Sequence, residues 1–135
     1  MKVAVSSRGR DLDSAVDPRF GRCPYFVVVD TETMAFEAFP NTSIGAAHGA
    51  GIQAAQLVAS RGVKAILTGN VGPNAYTALS TAGVQVATGA AGTVRDTVER
   101  FKRGELSASG GPTVGGHFGL GGRGMGRGRG RRRRT

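Results

Sequence analysis

Apolar residues follow two different rhythms along this chain. Val3 to Val5 form a short strand, and Tyr25-Phe-Val-Val-Val29 is a continuous, largely β-branched run of the kind found in strands covered on both faces. Asp30 to Thr33 is a turn. Met34 to Pro40 then alternates, with Met34, Phe36 and Ala38 opposing Ala35, Glu37 and Phe39. Strands joined by so short a turn are antiparallel, so this pair is a hairpin. The polar stretch Ser6 to Asp17 reads as a loop.

From Gly49 the period lengthens. Ile52, Ala55, Gln56, Val58 and Ala59 suit a helix that ends at Arg61-Gly62, with the glycine past its last turn. Val63 to Leu67 is the next strand. Gly72-Pro73 opens a second helix, with proline in its first turn, that runs to Ala82-Gly83. Val84 to Ala87 is a fifth strand. Thr93-Val-Arg-Asp96 has the form of a capping box and starts a third helix with Val94, Val98 and Phe101 on one face. This element order predicts an α/β fold, with a mostly parallel sheet, a hairpin at one side and helices on both faces.

Charge divides the chain in two. The net charge is +9, yet residues 107–135 contain seven arginines (Arg123, Arg127, Arg129 and Arg131 to Arg134) and no acid. Residues 1–106 therefore carry only +2. The first part is one domain with room for a core. Residues 107–135 are a Gly/Arg-rich basic tail with almost no aliphatic content, and disorder is the expectation there. No apolar run approaches the ~18 residues needed to cross a membrane. The start reads as a strand rather than a signal peptide, so no membrane and a cytoplasmic location are expected.

Candidate chemistry sits at the turns. In open α/β sheets ligands gather beyond the carboxyl ends of parallel strands, where helix N-termini point outward. Three glycine-bearing turns fall there: Gly45 to Gly51, Thr68 to Asn74, and Thr88 to Gly92. Their amides suit an anion, although glycine also serves tight turns for its own sake. His48 could coordinate a metal or donate to an anion, or simply face solvent. Asn41, Asn70 and Asn74 could hold a ligand or form turns. The one cysteine, Cys23, follows Arg19 and Arg22, whose charges would favour thiolate; a buried packing role is the alternative. One cysteine cannot build a four-cysteine iron–sulfur site, so a bound cluster must arrive preassembled or be shared between subunits. Gly119-Leu-Gly-Gly-Arg-Gly124 matches a dinucleotide pattern by letter only, since no strand precedes it. Nothing in the spacing supports catalysis. The tail would bind RNA, DNA or another polyanion through charge, with the domain as a scaffold or dimerisation unit.

Met1-Lys-Val-Ala-Val5, Asp17-Pro-Arg-Phe-Gly-Arg-Cys-Pro-Tyr-Phe26, His48-Gly-Ala-Gly51, Thr68-Gly-Asn-Val-Gly-Pro-Asn-Ala75 and Gly83-Val-Gln-Val86 together resemble the dinitrogenase iron–molybdenum cofactor biosynthesis family. The resemblance covers about residues 1–106. It implies a ribonuclease H-like three-layer α/β/α fold, with a five-stranded mixed sheet in the order 3-2-1-4-5 and one antiparallel strand. It also implies non-catalytic binding or delivery of an iron–sulfur or molybdenum-containing cluster, with cluster donor and acceptor proteins as partners. The matching positions are Phe20, Gly21, Arg22 and Cys23 in the first loop, His48, Gly49 and Gly51 in the second, and Gly69, Asn70, Gly72 and Asn74 in the third. Adding Arg19, these loops and three helix N-termini make a cationic cradle, with Cys23 and His48 as the expected direct metal ligands. A homodimer and a polyanion contact through the tail complete the expectations.

Overall fold

The computed structural model describes residues 1–45, 49–106 and 108–113. The expectations for His48 and for the tail beyond Thr113 lie outside these residues. Five strands form one sheet in the order β3-β2-β1-β4-β5: β1 (Lys2–Ser7), β2 (Tyr25–Asp30), β3 (Phe36–Pro40), β4 (Ala65–Leu67) and β5 (Gln85–Ala87). A single 3-10 turn (Phe20–Arg22) precedes β2, and the helices are α1 (Ala50–Ala59), α2 (Pro73–Thr81) and α3 (Val94–Lys102). β1 runs parallel to β4, and β4 to β5, while β2 is antiparallel to both β1 and β3. One strand of the mixed sheet is thus reversed.

The period-2 alternation of the strands assigns the helices to faces. Ala4, Phe26, Val28, Phe39, Ile66 and Val86 point to one side, where Ala54, Ala55 and Val58 of α1 and Ala75 and Leu79 of α2 cover them. Val3, Val5, Val27, Val29, Ala65, Leu67 and Ala87 point to the other, under Val94 and Val98 of α3 and Leu12 and Val16 of the first loop. Because both faces are covered, β1 and β2 need apolar residues at nearly every position, which explains the unbroken run at 25–29. The result is a three-layer α/β/α domain.

Local signals account for the helix ends. Pro73 occupies the first turn of α2, and Gly83 follows that helix with φ +81°, a conformation that costs glycine little. Thr93 and Asp96 form both halves of the capping box on α3. The β3 end of the sheet has no further strand among the described residues. At the β5 end the chain returns: Ala108 bridges Ala87 in antiparallel fashion, and the Ser109 amide donates to the Val86 carbonyl. Residues 108–113, expected to belong to the tail, thus fold back on the domain, Ala108 and Ser109 along β5 and Thr113 against Val71. They carry no apolar pattern and are held chiefly through backbone groups. That is why composition alone ends the domain too early.

Leu79 is fully buried between α2 and the sheet, whereas Phe36 is 45% exposed on the edge strand. Leu79→Ala is expected to cost about 2–5 kcal/mol in chemical denaturation, and Phe36→Ala to stay near wild type.

Candidate functional site

The carboxyl ends of β1, β3, β4 and β5 and the start of β2 share one edge of the sheet, and the long first loop crosses that edge. A small buried polar cluster pins it. The Ser6 side chain lies 2.6 Å from the Asp17 carbonyl and 2.7 Å from the Thr68 hydroxyl. A hydroxyl donates only once and a carbonyl only accepts, so Ser6 donates to Asp17 and receives from Thr68. The Asp17 amide returns a bond of 3.0 Å to the Ser6 carbonyl. Next along the chain, the Asn70 amide donates to the Pro18 carbonyl at 2.8 Å. A Cβ on Gly69 would sit 2.6 Å from the Cα of Pro18, so only glycine lets these two loops touch.

Asp17 is 1% exposed, and its carboxylate accepts from the Arg19 amide at 2.9 Å and from the guanidinium at 3.1 and 2.9 Å. Burial alone would raise its pKa. The hydrogen bonds and charge of Arg19, helped by Arg8, outweigh that and hold it below the ordinary aspartate value of 3.8. The Arg19 side chain is itself 63% exposed, so the pair leaves its cationic outer face at the surface.

The loop then makes its 3-10 turn and packs against α1. A Cβ on Gly21 would lie 3.2 Å from the Cα and amide nitrogen of Gly51, and a Cβ on Gly51 would lie 3.2 Å from that of Ala75. The 3-10 turn and the first turns of α1 and α2 are therefore in direct backbone-level contact. Both helices start at glycine, Gly49 (φ +73°) and Gly72, and neither has a side-chain cap or an acid in its first turn. The amides of Ala50, Gly51 and Ile52 in α1, and of Asn74 and Ala75 in α2, have no acceptor within their helices. Around them the surface exposes Arg19, Arg22, Asn70 and Asn74, with the apolar Ile44 and Ile52. Arg22 reaches across to the Ile44 carbonyl at 3.1 Å and ties the 3-10 turn to the second loop.

The third glycine turn does not join this cradle, contrary to expectation. At the start of α3, Thr93 and Asp96 cap each other, and the amides of Val94 and Arg95 donate to the carbonyls of Ser14 and Leu12 at 2.9 and 2.8 Å. In the turn itself, the amides of Gly89 and Ala90 are taken by Gly69 and Thr68. The cradle is built from two helix N-termini, not three.

Two residues of the first loop also differ from expectation. Phe20 is 2% exposed and belongs to the core with Phe26. Cys23 is fully buried, its thiol directed at the Phe20 carbonyl at 3.4 Å. Arg19 and Arg22 do not activate it, since one serves Asp17 and the other Ile44. Burial pushes the thiol up to about 12 against the lowering effect of a hydrogen bond from the Ser7 backbone; the Asp17 charge adds a smaller rise and Asn41 a smaller lowering. In this conformation Cys23 offers no thiolate to the surface. Asn41 spans the gap, donating to the Cys23 carbonyl at 2.8 Å. Ser6, Asp17 and Thr68 were not candidates from the sequence; small polar residues at the carboxyl ends of the apolar runs of β1 and β4 are the signal that could have flagged the two hydroxyls.

No group of three or more His, Cys, Asp or Glu side chains among the described residues could hold a metal ion. Among the described residues, this edge of the three-layer α/β/α domain offers amides and guanidinium groups. The chain belongs to the dinitrogenase iron–molybdenum cofactor family, which it matches over residues 1–104. An uncharacterised protein of Methanocaldococcus jannaschii is 32% identical over 110 residues, covering 78% of this chain and 93% of its own. Among solved structures, the apo form of the orange protein from Desulfovibrio gigas superposes with a TM-score of 0.81 at 47% identity, over 83% of this chain and 95% of that one. A candidate NifB protein from Thermotoga gives a TM-score of 0.69 at 41% identity, over 79% of this chain and 91% of that one. No helix among the described residues is long and apolar enough to cross a membrane.

The depressed pKa of Asp17 gives its role a pH signature. Its charged form stabilises the fold at pH above the unfolded-state value, and that contribution is lost as the pH falls through the lower folded-state value. Asp17→Asn is expected to be less stable by about 1–3 kcal/mol at neutral pH. Urea titrations through the acid range should show the gap closing below pH about 4; a gap independent of pH would contradict the charged pair.

Proposed function

We propose that this protein binds and carries a preassembled, anionic iron–sulfur or molybdenum-containing sulfide cluster, without catalysing a reaction on it. Family membership supports a cofactor-associated role. The observation that carries the finer reading is the pairing of two uncapped, glycine-started helix N-termini beside exposed Arg19 and Arg22. Helix N-termini attract anions by about 0.3–1 kcal/mol per charge, and more where partly buried.

The donor chemistry suits such a cargo better than a bare metal ion. A cluster whose metals are already saturated by sulfide needs no protein thiolate, only hydrogen-bond donors, positive charge and a surface that tolerates soft, weakly hydrated sulfur. The first-turn amides of α1 and α2 supply the first, the arginines the second, and Ile44 and Ile52 the third. Gly49, Gly51, Gly69, Asn70, Gly72 and Asn74 shape this cradle, while Phe20 and Cys23 support it from beneath. Proteins that donate or accept such clusters are the partners this reading implies.

Anaerobic titration with tetrathiomolybdate, alone and with ferrous iron, tests it through visible charge-transfer absorption that co-elutes with the protein. Arg22→Gln is expected to weaken binding about tenfold, the equivalent of about 1.4 kcal/mol. Cys23→Ser is expected to retain binding. Loss of the absorption in the serine variant, with the fold intact by circular dichroism, would contradict an anion held without thiolate.

A further inference from the structure

The family match ends at residue 104, yet the chain makes a further specific attachment beyond it. Thr113 closes on Val71, 42 residues earlier in the chain. Its amide donates to the Val71 carbonyl at 2.9 Å, and its hydroxyl donates to the same carbonyl at 3.3 Å. That hydroxyl in turn accepts from the Val71 amide at 2.8 Å. Both backbone groups of Val71, a residue only 2% exposed, thus take their partner from Thr113. A buried amide left without an acceptor would carry the full cost of its lost hydration.

Val71 lies in the turn that leads from β4 into α2. Upstream, that turn is pinned to the first loop, where the Asn70 amide donates to the Pro18 carbonyl. Downstream, only Gly72 separates Val71 from Pro73, the first residue of α2. The Val71 side chain is anchored in the core, so Thr113 adds the orientation of the peptide groups on either side of it. Glycine restrains the chain least, and the direction in which α2 presents the Asn74 and Ala75 amides therefore depends on those peptide groups. The clamping segment is itself held by polar bonds rather than by packing. Residues 108–113 contain no large apolar side chain. Their other attachments are the bridge of Ala108 to Ala87, the Ser109 amide on the Val86 carbonyl, and the Tyr76 hydroxyl, which donates to the Ser109 carbonyl at 3.2 Å. An open cleft of about 270 Å³ is lined by Tyr76 and Ser80 of α2, Gln85 of β5, and Ala108 and Ser109.

We propose that Thr113 is a positioning residue of the anion cradle, which clamps the Val71 peptide groups and so fixes the orientation of the first-turn amides of α2. The inference rests on the cluster-binding reading for its cargo, while the positioning is a property of the free protein. It gives a role to a segment outside the family match and makes the two halves of the cradle unequal. The α2 half depends on the C-terminal segment. The α1 half, held through the Gly21–Gly51 contact and by Arg22 on the Ile44 carbonyl, does not.

In the full-length chain, Thr113→Val removes the hydroxyl at nearly constant shape, and Thr113→Ser keeps it. In cargo-free, isotope-labelled protein, the valine variant is expected to exchange the Val71 amide hydrogen at least about tenfold faster. Its Asn74 and Ala75 amide resonances are expected to shift, with those of Gly51 and Ile52 unmoved, and the serine variant to resemble the native chain. In anaerobic titration with tetrathiomolybdate, the valine variant is expected to bind about tenfold more weakly, with the lost response confined to the α2 amides. Unshifted Asn74 and Ala75 resonances, or native affinity in the valine variant, would overturn the positioning role. A uniform loss of response at both helices, with a lower urea midpoint, would overturn it in favour of a general contribution to stability. Absence of binding by the native chain would overturn the cluster-binding reading, and the cargo-free resonances would still decide the role of Thr113.

Discussion

The stitch between Ser6, Asp17 and Thr68 holds the rest of the functional edge in place. β1 is the central strand, and the loop that leaves it must travel to the start of β2 across the ends of its neighbours. One buried hydroxyl pair and one buried carbonyl fix that path. Once Asp17 is fixed, Arg19 is drawn to it, Pro18 closes on Gly69, and the 3-10 turn is delivered against Gly51. Each of these contacts uses either a glycine or a backbone group, so the loops approach to distances that larger side chains would forbid. Two helix N-termini are brought together as a consequence.

Thiol and amides divide the labour at this edge. Cys23 is the softest ligand in the chain, yet the fold commits it to packing under the 3-10 turn, where burial keeps it protonated. The exposed functions are instead carried by groups that donate hydrogen bonds without forming covalent bonds to a metal. On the proposed reading, a cluster held by such groups would leave without the breaking of a metal–sulfur bond to the protein. Among the three helices, α3 shows how the alternative would look: its N-terminus is fully used by its own cap and by Leu12 and Ser14, and it has no amide left for a ligand.

Much of the fold was legible in the sequence because it depends on local periodicity. The β2–β3 hairpin, the proline at the start of α2 and the Thr93–Asp96 capping box each announce themselves within a few residues. The sheet order came with the family resemblance, which carried long-range information that periodicity lacks. The candidate site was legible only in outline. Whether a glycine turn is open or closed depends on partners far away in sequence, as Leu12 and Ser14 decide for α3. The charge state of Cys23 escapes the sequence for the same reason: adjacency to two arginines says nothing about where their guanidinium groups go. Residues 108–113 were unreadable because backbone hydrogen bonds leave no mark on composition.

Backbone amide mapping tests the central claim most directly. Titrating isotope-labelled, full-length protein with tetrathiomolybdate under anaerobic conditions should perturb the amides of Gly51, Ile52, Asn74 and Ala75 first, with those of the α3 capping box and the β2–β3 turn unmoved. Perturbations centred instead on Cys23 and its core neighbours, with the first turns of α1 and α2 silent, would contradict an anion cradle built from helix N-termini.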